Sequence, residues 1–145
     1  MTQEDKNLLL KDIFSRLPYG VKVLCPDGED AELFYEKGIL WIKYTHGFIC
    51  SLDWYLEDLK LYLRSMSSMT EEEIKEAENI SRLKYIDGTF AELRQFTLIN
   101  DNFVDWLNAH HFDYRGLIEK GLVLEAPENM YLHIEDMNDI EIMNK

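Results

Sequence analysis

The sequence predicts a single α+β domain over residues 1–145: an N-terminal helix, a small curled antiparallel sheet that could close as an SH3-like barrel, and C-terminal helices packed against it. Three observations predict this. Apolar residues at helical spacing open the chain, a series of short β-rich runs punctuated by turn residues follows, and two capped helix starts come after those. A length of 145 residues suits one domain, and with 46% apolar and 12% aromatic residues the chain can build a core despite its charge.

Thr2 is placed to cap the first helix, with Glu4 and Asp5 in the first turn and Leu9, Leu10, Ile13, Phe14 and Leu17 recurring on one side. Pro18-Tyr19-Gly20 ends it. From Val21 the period changes to that of strands: VKVLC, then Ala31–Tyr35, then Ile39–Tyr44, then Phe48–Cys50, separated by Pro26-Asp27-Gly28, Lys37-Gly38 and His46-Gly47. Strands at this density suit a small barrel or a curled sheet. WYLEDLKLYL, from Trp54 to Leu63, reads either as a helix lined by Trp54, Leu56, Leu59, Tyr62 and Leu63 or as a helical turn followed by a closing strand.

Arg64–Met69 reads as a polar loop and marks a boundary between the two halves. Thr70 and Glu73 have the spacing of a capping box, and three glutamates favour the positive end of the helix that starts there. Asp87-Gly88 predicts a hairpin between 83–86 and 89–98. Asn100 or Asp101 then caps a helix carrying Phe103, Val104, Trp106 and Leu107. Asp113 is positioned to cap a further single turn that Gly121 closes. Beyond Pro127, Met130, Leu132 and Ile134 predict a last strand running into an acidic tail, partly disordered over 135–145.

The 28 acidic residues against 15 Lys and Arg give a formal charge of −13. That field opposes nucleic-acid phosphates and anionic lipid, so nucleic acid is an unfavoured partner and a protein a favoured one. Neither a signal peptide nor a membrane-length apolar run is legible, and the expected location is cytoplasmic. Cys25 and Cys50 lie far apart in apolar stretches and read as buried thiols.

Three stretches carry a resemblance: LLLKDIFSRLPYGVKV from Leu8 to Val23, YLRSMSSMTEEE from Tyr62 to Glu73, and DWLNAHHFDYRGLIEKGLVLEAPENMY from Asp105 to Tyr131. In these the chain resembles a family of small uncharacterised proteins of gut bacteria, their phages and mobile elements. Arg64-Ser65 departs from that pattern, where relatives place a proline after the arginine. The resemblance implies a bacterial or phage setting and a domain spanning the whole chain, with no activity, cofactor or catalytic residue attached to it.

The segment from Asp105 to Tyr131 holds the densest chemistry. His110 and Asp113 have the three-residue spacing that places two metal ligands on one helix face, whereas His110 and His111, as neighbours, point about 100° apart. A small metal-assisted hydrolase or ligand-binding protein is the reading this pair would support, although no third ligand is evident and no cofactor is expected. Trp106, Tyr114 and Arg115 are residue types in which binding energy concentrates, and they form the candidate interface. The structural alternative places Trp106, Phe112, Leu117 and Leu122 in the core and uses Arg115 to bridge two short helices. No nucleophile elbow or phosphate loop occurs among the seven glycines.

The function this sequence favours is therefore a non-enzymatic binding or accessory protein. Its alternatives are the metal site, an acidic DNA-mimic inhibitor built from the runs Glu71–Glu78 and Glu125–Glu141, and direct nucleic-acid binding through a barrel.

Overall fold

The computed structural model describes residues 1–52, 55–90 and 101–131. Helix α1 (Gln3–Arg16) starts as predicted, with Thr2 Oγ1 accepting the Asp5 N–H at 3.0 Å. Leu9 and Ile13 are buried, but Phe14 is exposed, and the remaining places on the inward face belong to Asp12 and Arg16. The apolar stripe is thus narrower than the sequence suggests, because a charged i, i+4 pair completes it. A 3₁₀ turn over Leu17–Tyr19 ends the helix at Gly20, whose φ of +71° suits glycine. A Cβ on Gly20 would lie 2.5 Å from Glu32 Oε1, so the Glu32 side chain, which reaches over the turn, would have to shift.

The four predicted strands are present as β1 (Lys22–Leu24), β2 (Asp30–Glu36), β3 (Ile39–Tyr44) and β4 (Ile49–Ser51). The Trp54–Leu63 stretch takes the second of its two readings: a 3₁₀ turn over Leu56–Asp58, then β5 (Lys60–Leu63). Its period is two, with Leu59, Leu61 and Leu63 buried and Lys60 and Tyr62 half-buried. Trp54 itself lies outside the described residues.

The sheet corrects the barrel expectation. Its order is β4-β3-β2-β1-β5-β8, open at both ends, where β8 is Leu124–Glu125. β5 pairs antiparallel with β1 rather than returning to β4, and its other edge takes β8 in parallel. A parallel neighbour needs a long crossover, here supplied by the helices between β5 and β8, and it extends the sheet instead of closing it. The sheet is therefore mixed rather than purely antiparallel. β8 precedes Pro127, and residues 128–131 form a turn; Leu132 and Ile134, on which the predicted last strand also rests, lie outside the described residues. The acidic tail lies outside the described residues.

Arg64–Met69, predicted as a polar boundary loop, contains a 3₁₀ turn over Met66–Ser68. Met66 and Met69 are buried, and Arg64 pairs with Phe112 through Arg64 N to His111 O and Asp113 N to Arg64 O, both 2.8 Å. Thr70 and Glu73 form the predicted capping box on α2 (Glu71–Ser81). Asp87 and Gly88, at φ +53° and +83°, turn the hairpin of β6 (Tyr85–Ile86) and β7 (Thr89–Phe90). Residues 91–100, including the rest of the predicted second strand and Asn100, lie outside the described residues. The last helix among the described residues, α3, spans Asp101–Ala109.

Buried apolar residues form two clusters. One lies between α1 and the inner face of the sheet, with Leu117, Leu122 and Val123 added from the C-terminal segment. The other gathers Met66, Met69, Ala77, Phe90, Phe103, Leu107 and Phe112 under α2, α3 and the hairpin. Phe112 and Leu117 belong to different clusters, and the five-residue step between them holds most of the candidate site residues.

Candidate functional site

α3 ends in a Schellman motif: Phe112 N donates to Leu107 O at 3.0 Å and His111 N to Asn108 O at 3.1 Å. His111 takes the left-handed position at φ +63°, where glycine is usual, and its ring is buried against Tyr131 at a centroid distance of 3.8 Å. His110 turns the other way. Its ring stacks on Trp106 at 4.1 Å, with Nδ1 2.9 Å from Trp106 O.

Asp113 is a cap, as its position in sequence suggested. Oδ1 accepts the Leu117 N–H and Oδ2 the Ile118 N–H, each at 2.9 Å, so both oxygens are spent on backbone amides. The turn closes on Gly121 with a second Schellman pair, Leu122 N to Leu117 O and Gly121 N to Ile118 O, both 3.0 Å. The spacing that suggested a metal pair is thus the spacing of a helix end followed by a capped turn. Among the described residues, no three His, Cys, Asp or Glu side chains converge as metal ligands.

Tyr114 and Arg115 come together on α1. Arg115 Nη1 donates to Asp12 Oδ1 at 2.6 Å, bridging to the first helix rather than between two short helices. Asp12 also receives Arg16 Nε on Oδ2 at 2.8 Å and Arg16 Nη2 on Oδ1 at 3.1 Å, while that Nη2 reaches Phe112 O at 2.8 Å. The Tyr114 ring stands near both cations, 4.6 Å from the Arg115 guanidinium carbon and 5.4 Å from that of Arg16, and its hydroxyl donates to Asn108 Oδ1 at 3.0 Å. Trp106 belongs to a different set. It stacks on Phe103, His110 and Phe112, and its Nε1 donates to Glu76 Oε2 at 3.1 Å.

The other face of the sheet carries a feature that none of these residues announces. Tyr131 lays the Pro127–Tyr131 turn over it: the buried hydroxyl accepts Lys22 N–H at 2.7 Å and donates to Tyr62 O at 2.6 Å. Burial pushes that phenol well above the usual tyrosine range. Between this turn and β1–β3 opens a cleft of about 520 Å³, bordered by Asp30, Lys43 and Pro127–Met130 among others. Register places Lys22 beside Glu32 and Glu32 beside Lys43, one charged row across three strands on the cleft floor.

Lys22 Nζ is held by Met130 O at 2.8 Å, and Asp30 Oδ1 by the Tyr62 hydroxyl at 2.8 Å. Glu32 is half-buried, and burial raises its carboxyl above the ordinary value although Lys22 and Lys43 pull it down. Among the described residues, neither Glu32 nor Lys43 has a side-chain hydrogen bond or an ion pair within 4 Å. The alternating charges of β1–β3 were the available sequence signal, but the covering turn was not legible. No family model, curated protein or solved structure matches the chain. The geometry on both faces therefore carries the functional reading alone.

Chemically, the cleft can hold a polar group of either charge. The cysteines do not extend this chemistry at neutral pH for Cys25, whose thiol is pushed up to about 11 by burial first and by Asp27 and Asp30 next. Among the described residues, no helix is long and apolar enough to cross a membrane.

Proposed function

We propose that this is a non-enzymatic binding or accessory protein that contacts another protein through the outer face of its sheet, in the cytoplasm of the bacterial or phage setting that the resemblance implies. The observation that carries the reading is the cleft beside the Pro127–Tyr131 turn, with Glu32 and Lys43 adjacent on its floor. Opposite charges that form no ion pair within 4 Å among the described residues favour a segment of complementary charge pattern, and such pairs set specificity and register more than raw affinity.

The same geometry weighs against the alternatives. Tyr114 is spent on Asn108, Arg115 on Asp12, and Trp106 on Glu76 and its ring stack, and all three candidate interface residues are half-buried. Asp113 is spent on backbone amides, which disfavours the metal reading. In the run Glu71–Glu78, Glu73 binds Arg64, Glu76 binds Trp106 and Glu78 binds the Tyr85 amide, so this run is a poor imitation of a phosphate backbone.

The test is capture from bacterial lysate with three baits: the unmodified protein, the Glu32→Gln/Lys43→Gln double variant, and Trp106→Ala. The expected result is one specific protein held by the first and third baits and lost by the second. Absence of a specific partner, or a partner kept by the double variant, contradicts the reading.

A further inference from the structure

The two edges of the sheet are managed differently. β8 is two residues long and runs directly into Ala126-Pro127, a device that blunts an edge. β4, three residues long, has no proline or charge to blunt it: Gly47-Phe48-Ile49-Cys50-Ser51-Leu52 contains neither, and Phe48 and Ile49 are 59% and 48% exposed. Tyr44 N donates to Phe48 O at 2.9 Å and Leu52 N to Leu40 O at 3.0 Å, while Cys50 lies opposite Ile42. Phe48, Cys50 and Leu52 therefore bond inward, and the N–H and C=O groups of Ile49 and Ser51 point away from the sheet. Among the described residues nothing pairs with them.

We propose that this edge is an interface between two copies of the chain, in which β4 pairs antiparallel with β4 of the second copy about a twofold axis at Cys50. The outward groups are self-complementary. Centring on Cys50 sets Ile49 opposite the second copy's Ser51 and Ser51 opposite its Ile49, closing two closely spaced pairs of hydrogen bonds. Cys50 faces its own counterpart at a non-hydrogen-bonded position, where Cβ atoms approach to about 4.5–5.5 Å.

Charge selects this occupant. A chain of net charge −13 repels its own copy over most of its surface, but the six residues from Gly47 to Leu52 carry none of that charge. The exposed side chains of Phe48 and Ile49 gain cover at the same time. Because the twofold axis stands perpendicular to the sheet, the outer face of one copy continues into that of the other. Both clefts then open on the same side.

Analytical ultracentrifugation of the whole chain, over a concentration series reaching its solubility limit, tests this together with cross-linking by a short bis-maleimide. Expected are a reversible dimer and a cross-link that survives Cys25→Ser and disappears in Cys50→Ser. Ile49→Lys and, separately, Ser51→Pro should give monomers with unchanged circular dichroism. A monomer at every concentration overturns the proposal. So does a dimer that neither edge variant weakens, since it would use another face. An edge that pairs only with an unrelated extended peptide leaves the chain monomeric by itself and counts against it equally.

Discussion

Asp12 and Arg115, 103 residues apart, meet at 2.6 Å in a site where the Asp12 side chain is wholly buried and Arg16 supplies a second guanidinium. One carboxylate thus fixes α1 to the turn that follows α3. Without it, two cations would face each other and the Tyr114 ring with no compensating charge. Breaking a buried pair leaves the remaining charge unpaired, so Asp12→Ala should cost about 3–5 kcal/mol. Urea unfolding followed by circular dichroism measures this, and a loss below about 1 kcal/mol would place the network on a solvated surface.

Arg64 and Glu73 form the second clasp. Both guanidinium nitrogens reach the carboxylate, at 2.7 and 2.6 Å, and the Arg64 guanidinium lies 4.2 Å from the Phe112 ring centre. The pair is only partly buried, so Arg64→Met should cost about 1–3 kcal/mol, less than Asp12→Ala.

The pH dependence follows from Glu73. Burial alone would raise its carboxyl, but the bonds from Arg64 and the Thr70 amide outweigh it and hold the group below its ordinary 4.5. A carboxyl depressed in the folded state contributes stability above its unfolded value and loses it as pH falls through the folded one. The Arg64 clasp should therefore weaken progressively below pH 4.5. Stability measured against pH should fall less steeply there for Glu73→Gln than for the unmodified chain.

Glu32 carries the opposite sign. Its carboxyl is raised by burial, so the folded state disfavours the charge, and stability tied to this group grows as pH falls through the raised value. Glu32→Gln should raise the urea midpoint at neutral pH while abolishing partner capture. Such a trade between stability and function is common where a site keeps an uncompensated group. A lowered midpoint would mean that Glu32 serves the fold.

The sequence made the hairpins and caps legible because their signals are local. Alternation in Ile39–Tyr44, the Asp87-Gly88 turn and the Thr70–Glu73 capping box each depend on residues close in the chain. Barrel closure was not local. It depended on whether β5 would find β4 or β1 and on a two-residue parallel strand, β8, too short to have a period. The buried charges were not legible for a related reason: nothing near Asp12 and Arg16 in the chain marks them as inward, since Arg115 and Phe112 O arrive from its far end. His110 and Asp113 looked like ligands because a capped turn and a metal pair share the same spacing.

Asp113 itself offers a compact check. Asp113→Ala removes two backbone caps at once and should cost about 1–3 kcal/mol. Asp113→Asn should restore part of that loss, because an amide oxygen still accepts one of the two N–H groups. Equal losses in the two variants would contradict the capping role.

The segment from Asp105 to Gly121 braces the core, and recognition falls to the outer face of the sheet with the Pro127–Tyr131 turn over it. A double-mutant cycle of Asp12→Asn and Arg115→Met, read by urea unfolding, tests it most directly. A coupling energy of about 1–3 kcal/mol between the two positions is the predicted result. Additive effects, with Arg115→Met alone leaving stability unchanged, would show that the Arg115 side chain is free to act elsewhere and would contradict the account.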